Sequence, residues 1–156
     1  MAIDKVRSFF AEFGIEDKIC EFDVSSATVE LAAAALGCDG ARIAKSLSFA
    51  TADGAILVVA AGDAKIDNAK YKTTFKTKAK MLTPDEVSEF IGHNVGGVCP
   101  FAIPEAVKVY LDVSLRRFET VFPACGSSNS AIELTPYELE KYSGSALWVD
   151  VCKNWQ

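Results

Sequence analysis

Apolar residues recur at helical spacing at the start of the chain. Ile3, Val6, Phe9, Phe10 and Phe13 share one side of a helix over residues 3–13, and Gly14 stops it. Residues 19–23 read as a short strand. Ser26 is placed to cap a second, alanine-rich helix that runs through Leu36 and closes at Gly37. Residues 39–43 read as one helical turn. Two apolar runs, 45–50 and 55–61, are joined through Asp53-Gly54, the pattern of a β-hairpin, and Gly62-Asp63 ends the second. Asp67 predicts the cap of a helix to about Phe75. Thr83-Pro84 opens another to Ile91, and Thr135-Pro136 repeats the device before a helix ending near Gly144. Between these, Val107, Val109, Leu111 and Val113 alternate with Lys108, Tyr110, Asp112 and Ser114, as in a half-buried strand. Residues 118–122, 131–134 and 146–151 read as further strands.

Short helices interspersed with strands predict an α+β fold. One domain over residues 1–156 is expected, with a curved, mixed, barrel-like sheet flanked by short helices. At 156 residues the chain can bury a sizeable core. No apolar run approaches the length of a membrane span. The start of the chain, Met1-Ala2-Ile3-Asp4-Lys5, is unlike a secretory signal, so a cytoplasmic location is expected and no membrane partner. Five cysteines (Cys20, Cys38, Cys99, Cys125, Cys152) at long spacings, with no CxxC and a single histidine, fit free thiols better than a zinc site or disulfides. No metal or other cofactor is expected.

The net charge of −5 argues against a surface that coats nucleic acid. The charge is uneven, however. Residues 65–80 hold six lysines against the single acid Asp67, so this segment carries +5 and the rest of the chain −10. Lys65, Lys70, Lys72 and Lys76 are either a solvated face or a phosphate-contacting patch.

The chemistry centres on a nearly uncharged loop, Gly96-Gly97-Val98-Cys99-Pro100-Phe101-Ala102-Ile103-Pro104. Two glycines leave backbone N–H groups uncovered and two prolines stiffen the rest of the loop, giving a shaped wall that can hold a small group. Val98, Phe101, Ala102 and Ile103 would line a small apolar pocket. Lys45, at the start of its strand, either extends its ammonium into water or is a fixed cation at a pocket mouth, able to hold a phosphate or polarise a carbonyl. The turn Cys125-Gly126-Ser127-Ser128-Asn129-Ser130 either caps strand ends or turns its hydroxyl and amide groups toward the glycine loop to read a ligand. His93 is placed to shape the loop entrance. Cys99 reads as a small packed side chain, with a Cys99–His93 thiol pair as the competing reading. No paired carboxylates or serine triad can be discerned, and Glu133 reads as sheet surface or an ion-pair partner.

In their order and spacing, three stretches resemble the YbaK/EbsC family, the prolyl-tRNA editing (INS-like) aminoacyl-tRNA deacylases. They are Ala41-Arg42-Ile43-Ala44-Lys45-Ser46-Leu47, Gly96 through Phe101 with the GxxxP pattern at Gly96 and Pro100, and Gly126 through Pro136 with its Ile-Glu-Leu. The segment from Gly62 to Asp67 is similar to the family's connection after the hairpin. The resemblance runs from about Val24 to Val151. It implies hydrolysis of the ester between a wrong amino acid and the tRNA 3′ end. Lys45 would be the key cation near the terminal phosphate or the ester. Gly96 and Gly97 would supply backbone donors, and water would be the nucleophile, assisted by the substrate itself. The segment Val98-Cys99-Pro100-Phe101, with His93 and the Ser127-Ser128-Asn129 turn, would contact the aminoacyl end, and the lysines the acceptor stem. Prolyl-tRNA synthetase is a candidate partner. Ala131 departs from the family, which often has Asp there, so a contact to the amino group is missing and specificity is left open. The small apolar pocket would suit Ala, Cys or Ser carried on tRNA-Pro. Two other readings remain at this stage: a nucleotide or tRNA-end binding module without turnover, and a Cys99/His93 thiol hydrolase.

Overall fold

A computed structural model describes residues 2–145 and 147–155. The chain runs α1 (Ala2–Ala11), β1 (Cys20–Glu21), α2 (Val29–Leu36), β2 (Ile43–Thr51), β3 (Gly54–Ala61), β4 (Lys65–Ile66), α3 (Asn68–Phe75) and α4 (Pro84–Phe90). It continues with β5 (Lys108–Asp112), β6 (Phe122–Pro123), β7 (Ser130–Ala131), α5 (Pro136–Ser143), β8 (Leu147–Val149) and β9 (Cys152–Lys153). A curved, mixed five-stranded sheet has the order β6-β2-β3-β5-β8; only the β2–β3 hairpin is antiparallel. Two small ladders, β1 with β7 and β4 with β9, tie the ends of the chain to the middle. This is the α+β class expected from the sequence. Among the described residues no helix is long and apolar enough to cross a membrane.

The pleat decides how the sheet is covered. Phe49 and Tyr110 fall on one face of the β2–β3–β5 ladder, where α3 adds Tyr71 and Phe75. The four rings form a row with centroids 5.0, 4.7 and 4.9 Å apart. Leu57, Val59, Val109 and Leu111 point the other way. They belong to the same buried cluster as Phe10 of α1, Phe101 and Leu139 of α5. Phe10 is the hinge of that side, edge-on to Phe101 at 4.8 Å and to Tyr142 at 5.6 Å.

Local signals hold where a cap or turn residue dictates them. Asp67, Thr83 and Thr135 each accept from the backbone N–H three residues on, and the two Thr-Pro starts are full capping boxes with Glu86 and Glu138. Four readings change. Thr28, not Ser26, caps α2, because Ser26 is drawn to the Ser128 carbonyl. The strand expected over 107–114 stops at Asp112, whose buried carboxylate accepts from Ser114 N and Val151 N and starts a tight 3₁₀ turn, Val113–Arg117. The strands expected over 118–122 and 131–134 reduce to β6, β7 and a single Val121–Leu134 bridge. The strand expected over 146–151 is cut at Val149 and resumes as β9; Ala146 itself lies outside the described residues.

The core yields two stability tests. Phe10→Ala removes a fully buried ring with several aromatic neighbours and is expected to cost about 3–5 kcal/mol in urea denaturation. His93 is buried as well. Its Nε2 donates to the Phe101 carbonyl at 2.9 Å, and burial holds its pKa below the usual 6.5. The unfolded chain therefore takes up this proton first as pH falls. The His93 contribution is intact above about pH 6.5 and is lost as pH drops below it toward the depressed folded value. Denaturation midpoints measured from pH 8 to pH 5 should show this loss in the native chain and a weaker dependence in His93→Gln.

Candidate active site

The outer edge of β2 is paired at both ends and open in the middle. At its start Ile43 and Ala44 pair with β6. Toward its end Leu82 N donates to Ser48 O and Ala50 N donates to Lys80 O. Between these points lies a cavity of about 400 Å³ along Lys45, Ser46 and Leu47. Its other walls come from distant parts of the chain: the head of α2 (Ala27, Thr28, Val29), Met81 and Leu82 ahead of α4, the loop residues Val95, Gly96 and Val98, and Phe122, Ala124, Ser130 and Ala131 from around β6 and β7. Lys45 is the single charged residue on this wall among the described residues.

Lys45 is held in place. Its ammonium donates to the carbonyl of Gly62 at 3.3 Å and to that of Ala64, leaving one of its three hydrogens for a ligand. Burial lowers its pKa, and the facing Cys152 and Asp63 only partly offset that, with Lys65 acting in the same direction as burial. The bend from Gly62 to Ala64 is fixed in turn by a fork. The Arg117 guanidinium bonds both oxygens of Asp63, at 3.0 and 2.6 Å, while also donating to the carbonyls of Ser114 and Trp155. That fork pulls the Asp63 carboxyl below its ordinary range. Gly62 has no alternative: a Cβ there would collide with the Gly40 carbonyl oxygen.

The glycine loop faces the Ser/Asn turn, but the contact is backbone to backbone. A Cβ on Gly97 would lie 2.8 Å from Ser127 N and Cα, and Gly96 has φ +96°, which favours glycine. Gly97 differs from its neighbours in one respect that bears on chemistry. Its N–H donates to Asn94 O at 3.0 Å, and Gly97 does not line the cavity. The N–H groups of Gly96 and Val98 make no hydrogen bond among the described residues, and both residues are on the wall. The polar groups of the turn are used internally. Ser127 Oγ donates to Asn129 Oδ1 and accepts from Ser130 Oγ, Asn129 Nδ2 donates to Phe22 O, and Ser128 O accepts from Ser26. Ser127, Ser128 and Asn129 thus shape the wall from behind.

The structure does not bring Cys99, Pro100, Phe101 and His93 to this cavity. Cys99, Phe101 and His93 lie in the core, where the helix α1 rings draw the loop inward. Pro100, Ala102 and Ile103 line a separate recess with Phe9 and Phe13, so Val98 alone of the four expected apolar wall residues is present. Cys99 Sγ is 3.5 Å from His93 Nε2, but burial pushes the thiol up to about 12 and the imidazole proton is committed to Phe101. Such a pair supplies no thiolate. Lys70 is tied to Asp150 and to Cys152 O, Lys65 sits in the β4–β9 ladder, and Lys76 closes α3 with φ 63°. Lys72 and Lys78 flank a surface recess beside Asn68. Glu133 bonds Arg42 and Thr120. Sequence reasoning missed Ser46, Met81, Val95 and Phe122. The gap in the β2 edge that gathers them exists only once β6 stops at Pro123 and the chain returns at Met81.

Comparison with known proteins gives the family. The model of the aminoacyl-tRNA editing domain matches residues 24–142. The chain is 58% identical to YwhH of Bacillus subtilis (strain 168), an uncharacterized protein, over the full length of both. It is 32% identical to a proline--tRNA ligase of Thermotoga maritima over 90 residues, which is 57% of this chain and 15% of the ligase. A crystal structure of a candidate trans-editing enzyme for prolyl-tRNA synthetase superimposes with a TM-score of 0.87 at 29% identity, covering 97% of each chain. Each stretch that carries the lysine, the glycine loop and the Ile-Glu-Leu turn falls inside the matched segment, and the chain belongs to the YbaK-type aminoacyl-tRNA editing domain family.

Proposed function

We propose that this chain is a deacylase that hydrolyses the ester between a small, wrong amino acid and the 3′ end of tRNA, with tRNA-Pro carrying Ala, Cys or Ser as the first substrates to test. The single observation that supports this reading most is that Lys45, Gly96 and Val98 line one largely apolar cavity, the lysine with an ammonium hydrogen to spare and the two loop residues with backbone N–H groups that no described protein group takes. An aminoacyl ester is already activated. Its hydrolysis needs a placed carbonyl, an oriented water and donors for the developing oxyanion, each donor contributing about 3–4 kcal/mol. No protein nucleophile is required, and the buried neutral thiol of Cys99 is unsuited to be one. In this scheme Lys45 holds the terminal phosphate or polarises the ester, Gly96 and Val98 take the oxyanion, and Gly97 keeps the loop against Ser127. The exposed Met81 and Val95 form an apolar rim for the terminal nucleoside.

Apart from Lys65 in β4, the lysines of residues 65–80 lie on and after α3, and the same segment leads into the cavity wall at Met81 and Leu82. A strand of nucleic acid ending in the cavity would have cations beside it. Lys72 and Lys76 are exposed and are the best candidates for acceptor-stem contacts, while Lys70 is held by Asp150. Help in binding from prolyl-tRNA synthetase is part of this proposal and is tested by adding it to the assay.

Deacylation of Ala-, Cys- and Ser-tRNA-Pro in excess over protein is the direct test. Lys45→Ala should lower kcat/KM at least 100-fold, and Lys45→Arg should not restore it, because the longer side chain and planar fork place the charge differently from a compact ammonium. Cys99→Ala should stay within threefold of the native chain; equal loss in Cys99→Ala and Lys45→Ala would favour a thiol mechanism. Binding without turnover on any of the three would favour the binding module. After subtraction of uncatalysed hydrolysis, activity should fall as pH rises through the Lys45 pKa, earlier than the 10.5 of an ordinary lysine, because the ammonium is the required form and burial disfavours it. Lys72→Glu with Lys76→Glu should raise KM several-fold with kcat little changed, and the native KM should rise with salt.

A further inference from the structure

Ser46 carries three polar groups that the fold leaves unanswered. Along β2 the residues 45, 47, 49 and 51 bond inward to β3, as the tight turn at Thr51 and Gly54 requires. The alternate residues turn their N–H and C=O outward. Ser48 and Ala50 show this directly, through Leu82 N and Lys80 O, and Ala44 meets β6. Ser46 stands between them, facing the cavity, and no strand or side chain among the described residues meets its main-chain N–H or C=O. Its hydroxyl is also buried and without a partner in the protein. A strand edge with an unmet main-chain donor and acceptor beside a buried, unmet hydroxyl is a template for an extended ligand, which supplies the missing partners.

The wall around Ser46 narrows the chemistry of that ligand. No carboxylate is present on it among the described residues, Ala131 being 3% exposed where its side chain could offer only a methyl group. An amino group here must be taken by neutral acceptors, and the Ser46 carbonyl and hydroxyl oxygen are two such acceptors at one position. The adjoining Ser46 N–H is a donor at the spacing of a strand pair, suited to the carbonyl that lies one bond from an α-carbon.

We propose that the open edge of Ser46 is the head-group subsite of the cavity, its carbonyl and hydroxyl accepting from the α-amino group of the acyl moiety and its N–H donating to the acyl carbonyl. The inference rests on the deacylase reading for the identity of the ligand but not for the existence of the subsite. It gives the chain a main-chain means of recognising an α-amino acid that needs no acid at position 131.

The test uses non-hydrolysable probes, so it does not depend on turnover. 3′-Deoxy-3′-(L-alanylamino)adenosine is compared with its N-acetyl and its lactoyl counterparts, in the native chain, Ser46→Ala and Ser46→Thr, by titration with NMR detection of the Ser46 amide. The native chain should bind the alanyl probe at least tenfold more tightly than the N-acetyl probe, with the Ser46 amide among the most shifted signals. Ser46→Ala should lose at least threefold in affinity for the alanyl probe and leave the N-acetyl probe unchanged, and Ser46→Thr should restore most of the loss. Equal affinity for all three probes, or an unmoved Ser46 amide with the probe bound, overturns the subsite. Alanyl-probe binding with these properties but no deacylation of any mischarged tRNA sinks the enzyme reading and leaves the subsite standing; deacylation with an unmoved Ser46 amide does the reverse.

Discussion

The site depends on one structural fact: β2 gives up its neighbour for three residues. A sheet edge inside a protein is costly unless covered, because each outward N–H and C=O loses water without gaining a partner. Here β6 covers the first two residues and the strand-like return at Met81 covers the last ones, while the space between is enclosed by apolar side chains from α2, α4 and the 95–98 loop. The fold therefore holds a short open stretch of strand edge along the cavity, from which only the N–H and C=O of Ser46 face outward. Lys45 sits at one end of that stretch and Ser46 within it. Binding of a polar, extended group is the natural way to complete the sheet.

Everything around the gap serves to keep it from closing. Gly97 is pressed on Ser127 too tightly for any side chain, so the loop cannot move toward the turn. The turn is braced by Ser127, Asn129 and Ser130 bonding one another and the 22–26 segment. On the far side the Asp63–Arg117 fork fixes the bend whose carbonyls receive Lys45. Arg117 and Ser114 belong to the same 3₁₀ turn, and Ser114 Oγ accepts from Ala61 N, so the end of β3 is anchored twice from one element. Arg117 also lies over the rings of Phe118 and Trp155, which adds packing to a fork that is partly open to water. These are interactions with little direct chemistry, and their common effect is to set the position of one ammonium to within hydrogen-bond tolerance.

What could be read from the chain alone divides along physical lines. Helix starts were legible because a Thr-Pro or an Asp cap acts over three residues, and the hairpin was legible because Asp53-Gly54 admits few other conformations. The alternation at 107–114 was misleading at its end. Asp112 continues the period-2 pattern in sequence, but its carboxylate finds two backbone donors, one of them 39 residues away, and the strand breaks there. Lys45 and Gly96 were legible as candidates from residue type and setting. The inward turn of Cys99 and Phe101 was not, since a loop of apolar residues gives no sign of which side faces the core until Phe9 and Phe10 of α1 arrive above it.

Ser46 shows the same limit more sharply. A serine in an apolar strand has no distinguishing mark in sequence, and its neighbours Ser48 and Ser130 look equally eligible. Its standing comes from register. A shift of β2 by one residue against β3 would turn the 46 edge inward and present Lys45 or Leu47 backbone to the cavity instead. Register is fixed by the two-residue turn at 52–53 and by the eight pairs from Ala44–Ala61 to Thr51–Gly54. The hairpin turn, some six residues away from the site, thereby decides which backbone groups the cavity offers. Lengthening that turn by one residue should disturb ligand recognition without touching any residue of the wall, whereas a site built only from side chains would be less sensitive to it.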